Sequence, residues 1–375
     1  MTQKPLPIYD GHNDTILHYA IPQVAPHYSE AFSEFFGYRE LVNRDFFQRS
    51  EQGHIDLPRA KEGGLAGGFW AISPIPEKGE DKQSVASVGA GEDGTFDVPL
   101  PPEIPHTYAT RFTIAATSEL LRMIAASAGQ ARLVTTADDI VACIDEEVFA
   151  IQLHFEGAEA IDEDLYALDV WYEVGLRSLG IVWSRSNIFG HGVPFRFPSS
   201  PDTGPGLTDA GERLVRRCNQ LGILIDLSHL NEKGFWDVAR ISDAPLVATH
   251  SNAHAINAAT RNLTDKQLAA IAETDGMVGV NFHVGFLRED GQTDPDTSLD
   301  IVIRHFDHLI EKLGEDRVGF GSDFDGAVMP RDLADCAHLP RLVEAMRAAG
   351  YGEPLLQKLA HQNWLRLLRS SWKAT

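Results

Sequence analysis

His12 and Asp14 stand two residues apart in Ile8-Tyr9-Asp10-Gly11-His12-Asn13-Asp14. Side chains at i and i+2 of an extended segment share one face, so this pair can grip one cation. Glu156, His229, His250 and Asp323 are of the same kind, each near the end of a short apolar run. Three imidazoles with two or three carboxylates suit Zn²⁺, and a carboxylate can hold two ions ~3.5 to 4 Å apart through its two oxygens. Glu156 is the natural bridge. Water between two such cations loses a proton near neutral pH and becomes a nucleophile, while one cation polarises the scissile carbonyl. Asp323 can then shuttle that proton to the leaving amine. Arg261, in Thr260-Arg261-Asn262 beyond His250, can clamp a substrate carboxylate in a bidentate pair. Taken together, the set reads as a two-metal hydrolase.

Such residues must be brought to one place by the elements that carry them. Eight short apolar runs read as strands: Pro7–Asp10, Leu65–Ile72, Phe149–Phe155, Leu176–Trp183, Gly222–Leu227, Pro245–Ala248, Met277–Phe282 and Arg317–Gly321. Helical patterns lie between and after them, over Tyr108–Ala128, Asp164–Val174, Thr208–Leu221, Asn231–Ile241, Thr264–Glu273 and Leu299–Leu313, with two more at Asp332–Ala349 and Pro354–Ser370. Thr208 and Thr264, the latter followed by Gln267, fit helix-capping patterns. Strands alternating with helices pair in parallel through right-handed crossovers, and eight such units predict a closed (β/α)8 TIM barrel. An open doubly wound sheet is the weaker alternative, since no glycine-rich dinucleotide fingerprint follows the first strand.

In a barrel the active site lies at the C-terminal strand ends. Strand one leads to His12 and Asp14, strand three to Glu156, strand five to His229, strand six to His250 and strand eight to Asp323. Two segments fall outside the repeat: 26–56, rich in aromatics such as Phe32, Phe35, Phe36, Tyr38, Phe46 and Phe47, and 73–106, rich in Pro, Gly and acid. They are expected as βα-loop insertions on the catalytic face of a single domain spanning 1–375, with the extra C-terminal helices as packing or dimer elements.

Composition narrows the class. Hydrophobic residues make up 43% of the 375 and charged residues 23%, ordinary values for a folded globular chain. With 32 basic against 54 acidic residues and a net charge of -22, neither nucleic acid nor an anionic membrane surface is an expected partner. No stretch approaches the ~20 apolar residues of a membrane span. Met1-Thr2-Gln3-Lys4-Pro5 lacks a basic, then apolar leader, which reads as cytoplasmic. Cys143, Cys218 and Cys336 are three cysteines without CxxC spacing, and so read as buried hydrophobes.

Taken in order, Asp10-Gly11-His12-Asn13-Asp14, Phe155-Glu156-Gly157, Ile225-Asp226-Leu227-Ser228-His229, Thr249-His250-Ser251-Asn252, Arg261-Asn262 and Gly319-Phe320-Gly321-Ser322-Asp323-Phe324-Asp325-Gly326 carry a resemblance that covers nearly the whole chain. The sequence resembles the renal (membrane) dipeptidase family of zinc peptidases, within the amidohydrolase superfamily of barrels. That resemblance implies two Zn²⁺ per chain, one held by His12, Asp14 and Glu156 and the other by Glu156, His229 and His250. It implies Asp323 as general acid/base, Arg261 as a contact for the substrate carboxylate, and dipeptides as substrates. A D-residue is often tolerated at the C-terminal position, and some bacterial members prefer L,D-dipeptides. Family members are often homodimers.

One position departs from the family. A histidine commonly ends strand four there, supporting the oxygen that becomes negative during hydrolysis, and the match of Leu176-Arg177-Ser178-Leu179 puts Trp183 in its place. An indole N–H donates a hydrogen bond but carries no charge, and losing such a donor costs on the order of 10²-fold in rate elsewhere. His191 is the nearest substitute, and His283, ending strand seven, is expected to line the pocket, whereas His154, two before Glu156, reads as a packing or supporting residue. Two other readings stay open: a different amidohydrolase acting on a lactone, ester or amide, and a metal-binding barrel without activity. The lysine-bridged branch of the superfamily is disfavoured, because no lysine lies in the eight predicted strands.

Overall fold

The computed structural model describes residues 4–29, 44–77, 91 and 94–372. Its strands, in chain order, are β1 (Ile8–Asn13), β2 (Leu65–Ile72), β3 (Phe96–Val98), β4 (Ala131–Leu133), β5 (Phe149–Glu156), β6 (Leu176–Gly180), β7 (Phe195–Phe197), β8 (Leu224–Asp226), β9 (Val247–Ala248), β10 (Met277–Val280) and β11 (Val318–Phe320). The main sheet runs β1-β2-β5-β6-β8-β9-β10-β11, with β4 added beside β5. Every adjacent pair along that path is parallel. These are the eight predicted strands, in sequence order, wrapped into a nearly closed (β/α)8 barrel.

A side-chain carboxylate and a single parallel bridge, Asn13 with Phe324, close the seam between β11 and β1. The Asp10 carboxylate accepts from the Ser322 backbone N–H and hydroxyl, both at 2.7 Å. Just above, the Asp323 N–H donates to His12 O at 3.1 Å and the Asp14 N–H to Phe324 O at 2.9 Å. The closure therefore fixes His12, Asp14 and Asp323 against one another. Burial drives the Asp10 carboxyl up to about 6, against the opposing pull of the two Ser322 hydrogen bonds.

The other end of the barrel is plugged. Trp364, on the helix Asn363–Ser371, packs with Tyr9, Phe69, Leu224, Val247 and Met277, and its indole N–H donates to Phe320 O at 3.0 Å. Gly11 makes room for it, since a Cβ there would lie 2.3 Å from the Trp364 ring. The C-terminal helices thus serve as packing elements. Around the barrel, helices begin with side-chain caps, as at Thr208, Asn231 and Thr264, so that polar N-termini and apolar inner faces agree on one arrangement.

Several elements escape the sequence pattern. The helices Thr15–Val24, Leu57–Gly63 and Ala137–Glu146 are short, and the first carries Pro22 in its interior. Strands β3 and β7 form an antiparallel two-stranded ribbon, each contributing three residues, too few for periodicity to register. In the first predicted insertion, Phe46 is buried and meets the Trp70 and Phe149 rings edge-on at 5.3 and 5.4 Å. Phe32, Phe35, Phe36 and Tyr38 lie outside the described residues, as do 78–90, 92 and 93 of the second segment. All three cysteines are buried and free, and no helix among the described residues is long and apolar enough to cross a membrane.

Candidate active site

Glu156, the last residue of β5, is where the predicted ligands converge. Its Oε1 lies 3.1 Å from His229 Nε2, 3.4 Å from His250 Nε2 and 3.6 Å from His12 Nε2. His12 Nε2 is also 3.5 Å from Asp14 Oδ2. These side chains are almost entirely removed from solvent. His12, Asp14 and Asp323 form a further group whose ligand-type atoms all lie within 4.8 Å of one another, as do His12, Glu156 and His250.

The donor chemistry of this cluster fits a cation. Thr249 has one hydroxyl hydrogen, and it goes to Asp226 Oδ2 at 2.6 Å. The 2.9 Å contact between Thr249 Oγ1 and His250 Nδ1 is therefore donated by the imidazole, which leaves the Nε2 lone pair bare toward Glu156. On His229, Ser184 Oγ lies 2.8 Å from Nδ1, on the side of the ring away from Glu156. Among the described residues His12 makes no hydrogen bond through either ring nitrogen, although both are buried, a costly state without a partner. Its ring stacks on His250 at 3.7 Å between centroids.

Electrostatics agree with the geometry. Burial disfavours a charged His12, yet Glu156, Asp14 and Asp323 outweigh it and lift the imidazolium to about 10. A positive charge is wanted at that point. His229 and His250 are held well below the usual imidazole range, first by burial, and then by Arg261 for His229 and by His12 for His250. Neutral imidazoles beside carboxylates are the form that coordinates a metal.

The loop beyond β11 presents Asp323 with φ of 62°, and His229 has φ of 66°. Non-glycine residues in the left-handed region persist only where the surroundings impose them, and they cluster at functional sites. Gly326 keeps space for both carboxylates: a Cβ there would sit 2.0 Å from Asp14 Oδ2 and 2.7 Å from Asp323 Oδ1. Burial raises the Asp323 carboxyl to about 6, partly countered by His12, so it can gain and lose a proton near neutral pH.

Arg261 is buried beside the cluster, donating to Ser251 Oγ at 3.3 Å and to His250 O at 3.1 Å, while its Nε makes no hydrogen bond among the described residues. Its guanidinium lies 5.5 Å from the centre of the Phe286 ring. Phe286 stacks on Phe195 of β7 at 6.0 Å, and Phe195 meets Trp183 at 5.6 Å. Trp183 in turn faces His229 at 5.8 Å. The ribbon thus supplies part of an apolar wall running from His229 to Arg261. His283 packs on Phe286 at 4.5 Å, and burial lowers its imidazole to about 4. His191 lies in a loop paired with the segment after His229, its carbonyl accepting the Asn231 N–H at 3.2 Å and its Nδ1 3.0 Å from Ser186 Oγ.

Other buried polar residues support the cluster from below and beside it. His154 is 3.7 Å from Asp226 and bonds Ser178 Oγ at 2.7 Å. Asp226 accepts from the backbone of Ser228 and Thr249 at 3.0 and 2.8 Å. Asn281 donates to Asp323 Oδ2 at 2.8 Å. Asp226 and Asn281 were missed as site residues because each stands within an apolar run where a buried structural role reads equally well. Ser184 was missed because an isolated serine carries no spacing signal.

Known proteins of similar fold and sequence place the chain in a peptidase family. The model of the membrane dipeptidase family, peptidase family M19, matches residues 2–374. A crystal structure of a metallopeptidase from Rhodobacter sphaeroides, liganded with a phosphinate mimic of the dipeptide L-Ala-D-Ala, superposes with a TM-score of 0.88 at 50% identity, covering 98% of this chain and 100% of that one. The crystal structure of dipeptidase AC, also of family M19, gives 0.88 at 51% identity over 99% of this chain and 100% of that one. A Klebsiella pneumoniae protein, described as an uncharacterised protein from the pqqA 5' region, is 51% identical over 254 residues, 68% of this chain and 94% of its own.

Proposed function

Since the chain belongs to the membrane dipeptidase family, peptidase family M19, we propose that it is a dinuclear zinc enzyme that hydrolyses the peptide bond of dipeptides, L,D-dipeptides among them. In this reading His12, Asp14 and Glu156 hold one Zn²⁺, and Glu156, His229 and His250 hold the other. The observation that carries it is the convergence of three Nε2 atoms within 3.6 Å of one Glu156 oxygen. When bound, the ions supply Lewis acidity that activates water and polarises the substrate carbonyl.

The remaining tasks fall to the chain's own side chains. Asp323 accepts the proton of the attacking water and returns it to the nitrogen of the breaking peptide bond, so that the amine leaves neutral. Arg261, whose Nε has no hydrogen-bond partner among the described residues, binds the dipeptide's terminal carboxylate and so limits substrate length on that side. Its burial beside Phe286 makes the ion pair stronger than it would be in water. Trp183 takes the place near His229 from which an N–H can face the oxygen that gains charge, while His283 lines the carboxylate side as a neutral imidazole. His191 would serve the oxyanion only by turning from Ser186. Support for an L,D substrate is the L-Ala-D-Ala mimic held by the Rhodobacter protein at 50% identity.

Steady-state hydrolysis of a stereochemically defined set of L,L and L,D dipeptides by the zinc-loaded protein tests this reading, with Glu156→Ala as control. Turnover that vanishes in the variant is expected, with the ratio of L,D to L,L rates giving the preference. No turnover above the variant despite two bound zinc ions per chain overturns the dipeptidase assignment.

A further inference from the structure

We infer that Asn281 is the positioning residue that holds the Asp323 carboxylate in register for proton transfer, an inference that rests on the dipeptidase reading of Asp323. Asn281 directly follows β10 and is buried. Its Oδ1 accepts the N–H of His283 at 2.7 Å. With the oxygen end of the amide engaged by a backbone donor, the NH₂ end necessarily points the other way, and there it meets Asp323 Oδ2 at 2.8 Å. The direction of that hydrogen bond is set by the fold.

The backbone of Asn281 is clamped as well. Asn252 Oδ1 accepts the Asn281 N–H at 3.1 Å, and Asn252 Nδ2 donates to Asn281 O at 2.9 Å. One side-chain amide thereby continues the strand pairing beyond β9, which is only two residues long. Asn252 lies two residues after His250 in the same Thr-His-Ser-Asn segment. A chain of buried amides therefore links the loop of one candidate metal ligand to the carboxylate that moves the proton. Neither amide can ionise, so the donor to Asp323 persists at every working pH.

Asp323 needs such a brace. Its backbone is in the left-handed region with φ of 62°, and it is partly exposed to the site. Donation to Oδ2 leaves Oδ1 to carry the proton, and it removes the rotation of the carboxylate as a degree of freedom to be frozen in the transition state.

Two variants of the metal-loaded enzyme test this. Asn281→Asp keeps the shape and the acceptor for His283 but replaces the donor with a carboxyl oxygen, and Asn281→Ala removes both. With L-Ala-D-Ala as substrate, kcat falls about 10²-fold in each while KM stays within about threefold and metal per chain is unchanged. Unaltered kcat in Asn281→Asp overturns the inference, as does a loss accounted for entirely by lost metal. A crystal structure of Asn281→Ala supplies a readout independent of substrate. Displacement of the Asp323 carboxylate by more than about 0.5 Å supports the brace, and an unmoved carboxylate overturns it. If the unaltered protein cleaves no dipeptide, the dipeptidase reading falls by itself and that structure alone decides the positioning role.

Discussion

The Nε2 atoms of His229 and His250 face each other at 3.1 Å, although the tautomer imposed on His250 by Thr249 leaves its Nε2 without a proton. The bare Nε2 of His250 is open there to a proton from His229 or to a cation. The fold holds them there through Ser184 and Thr249 on the far side of each ring, aimed as two ligands of one cation would be.

Metal removal is therefore expected to lower stability as well as activity. A ligand present at 100 times its Kd contributes about 2.7 kcal/mol to the folded state. The chelated protein should melt at a lower temperature than the zinc-loaded one, and readdition of zinc should restore both the melt and turnover. Equal melting temperatures with and without chelator would contradict this.

Ser184→Ala removes the partner of His229 Nδ1 without touching a proposed ligand. Loss of such an orienting contact costs 10- to 100-fold in metal affinity in comparable sites. Competition with a chromophoric chelator should show a drop of about that size, confined to one of the two ions.

Arg261→Lys keeps the charge but loses the planar fork. A charge-assisted hydrogen bond contributes about 1.5 to 3 kcal/mol, so KM for dipeptides should rise about 10- to 100-fold, with kcat changed far less. A parallel fall in kcat at constant KM would assign Arg261 to the reacting bond instead of the carboxylate.

His305 gives a pH dependence outside the site. Its Nδ1 accepts the Ala253 N–H at 3.2 Å and its Nε2 faces Leu287 O at 2.9 Å, so the folded chain demands the neutral ring. Burial lowers it from 6.5 to about 4. Between those values the unfolded chain binds the extra proton, so stability is complete above 6.5 and declines as pH falls toward 4, by up to about 3 kcal/mol. Urea unfolding at a series of pH values should show the decline, and His305→Gln, which presents one acceptor and one donor, should flatten it.

The barrel was legible because each unit repeats the same physical pattern. Apolar runs such as Leu65–Ile72 and Phe149–Phe155 are short, buried on both faces and separated by amphipathic helices, which calls for parallel strands, and eight such units without a glycine-rich fingerprint favour the closed sheet over the open one. The ribbon of Phe96–Val98 with Phe195–Phe197 left no such mark. Its pairing joins residues about a hundred positions apart, and three-residue strands are specified by the partner they meet.

For the site, residue type and strand-end position singled out His12, Asp14, Glu156, His229, His250 and Asp323, because metal-ligand chemistry is confined to few side chains, and Arg261 stood out as a cation able to clamp a carboxylate a short way beyond His250. What the tertiary structure alone decided is how those side chains are aimed. The tautomer of His250 depends on Thr249 and Asp226, the hold on Asp323 on Asn281 and Asn252, and the wall around Arg261 on Phe286, Phe195 and Trp183. Serine, threonine and asparagine occur everywhere in a sequence, and hydrogen-bond direction exists only once donor and acceptor are fixed in space.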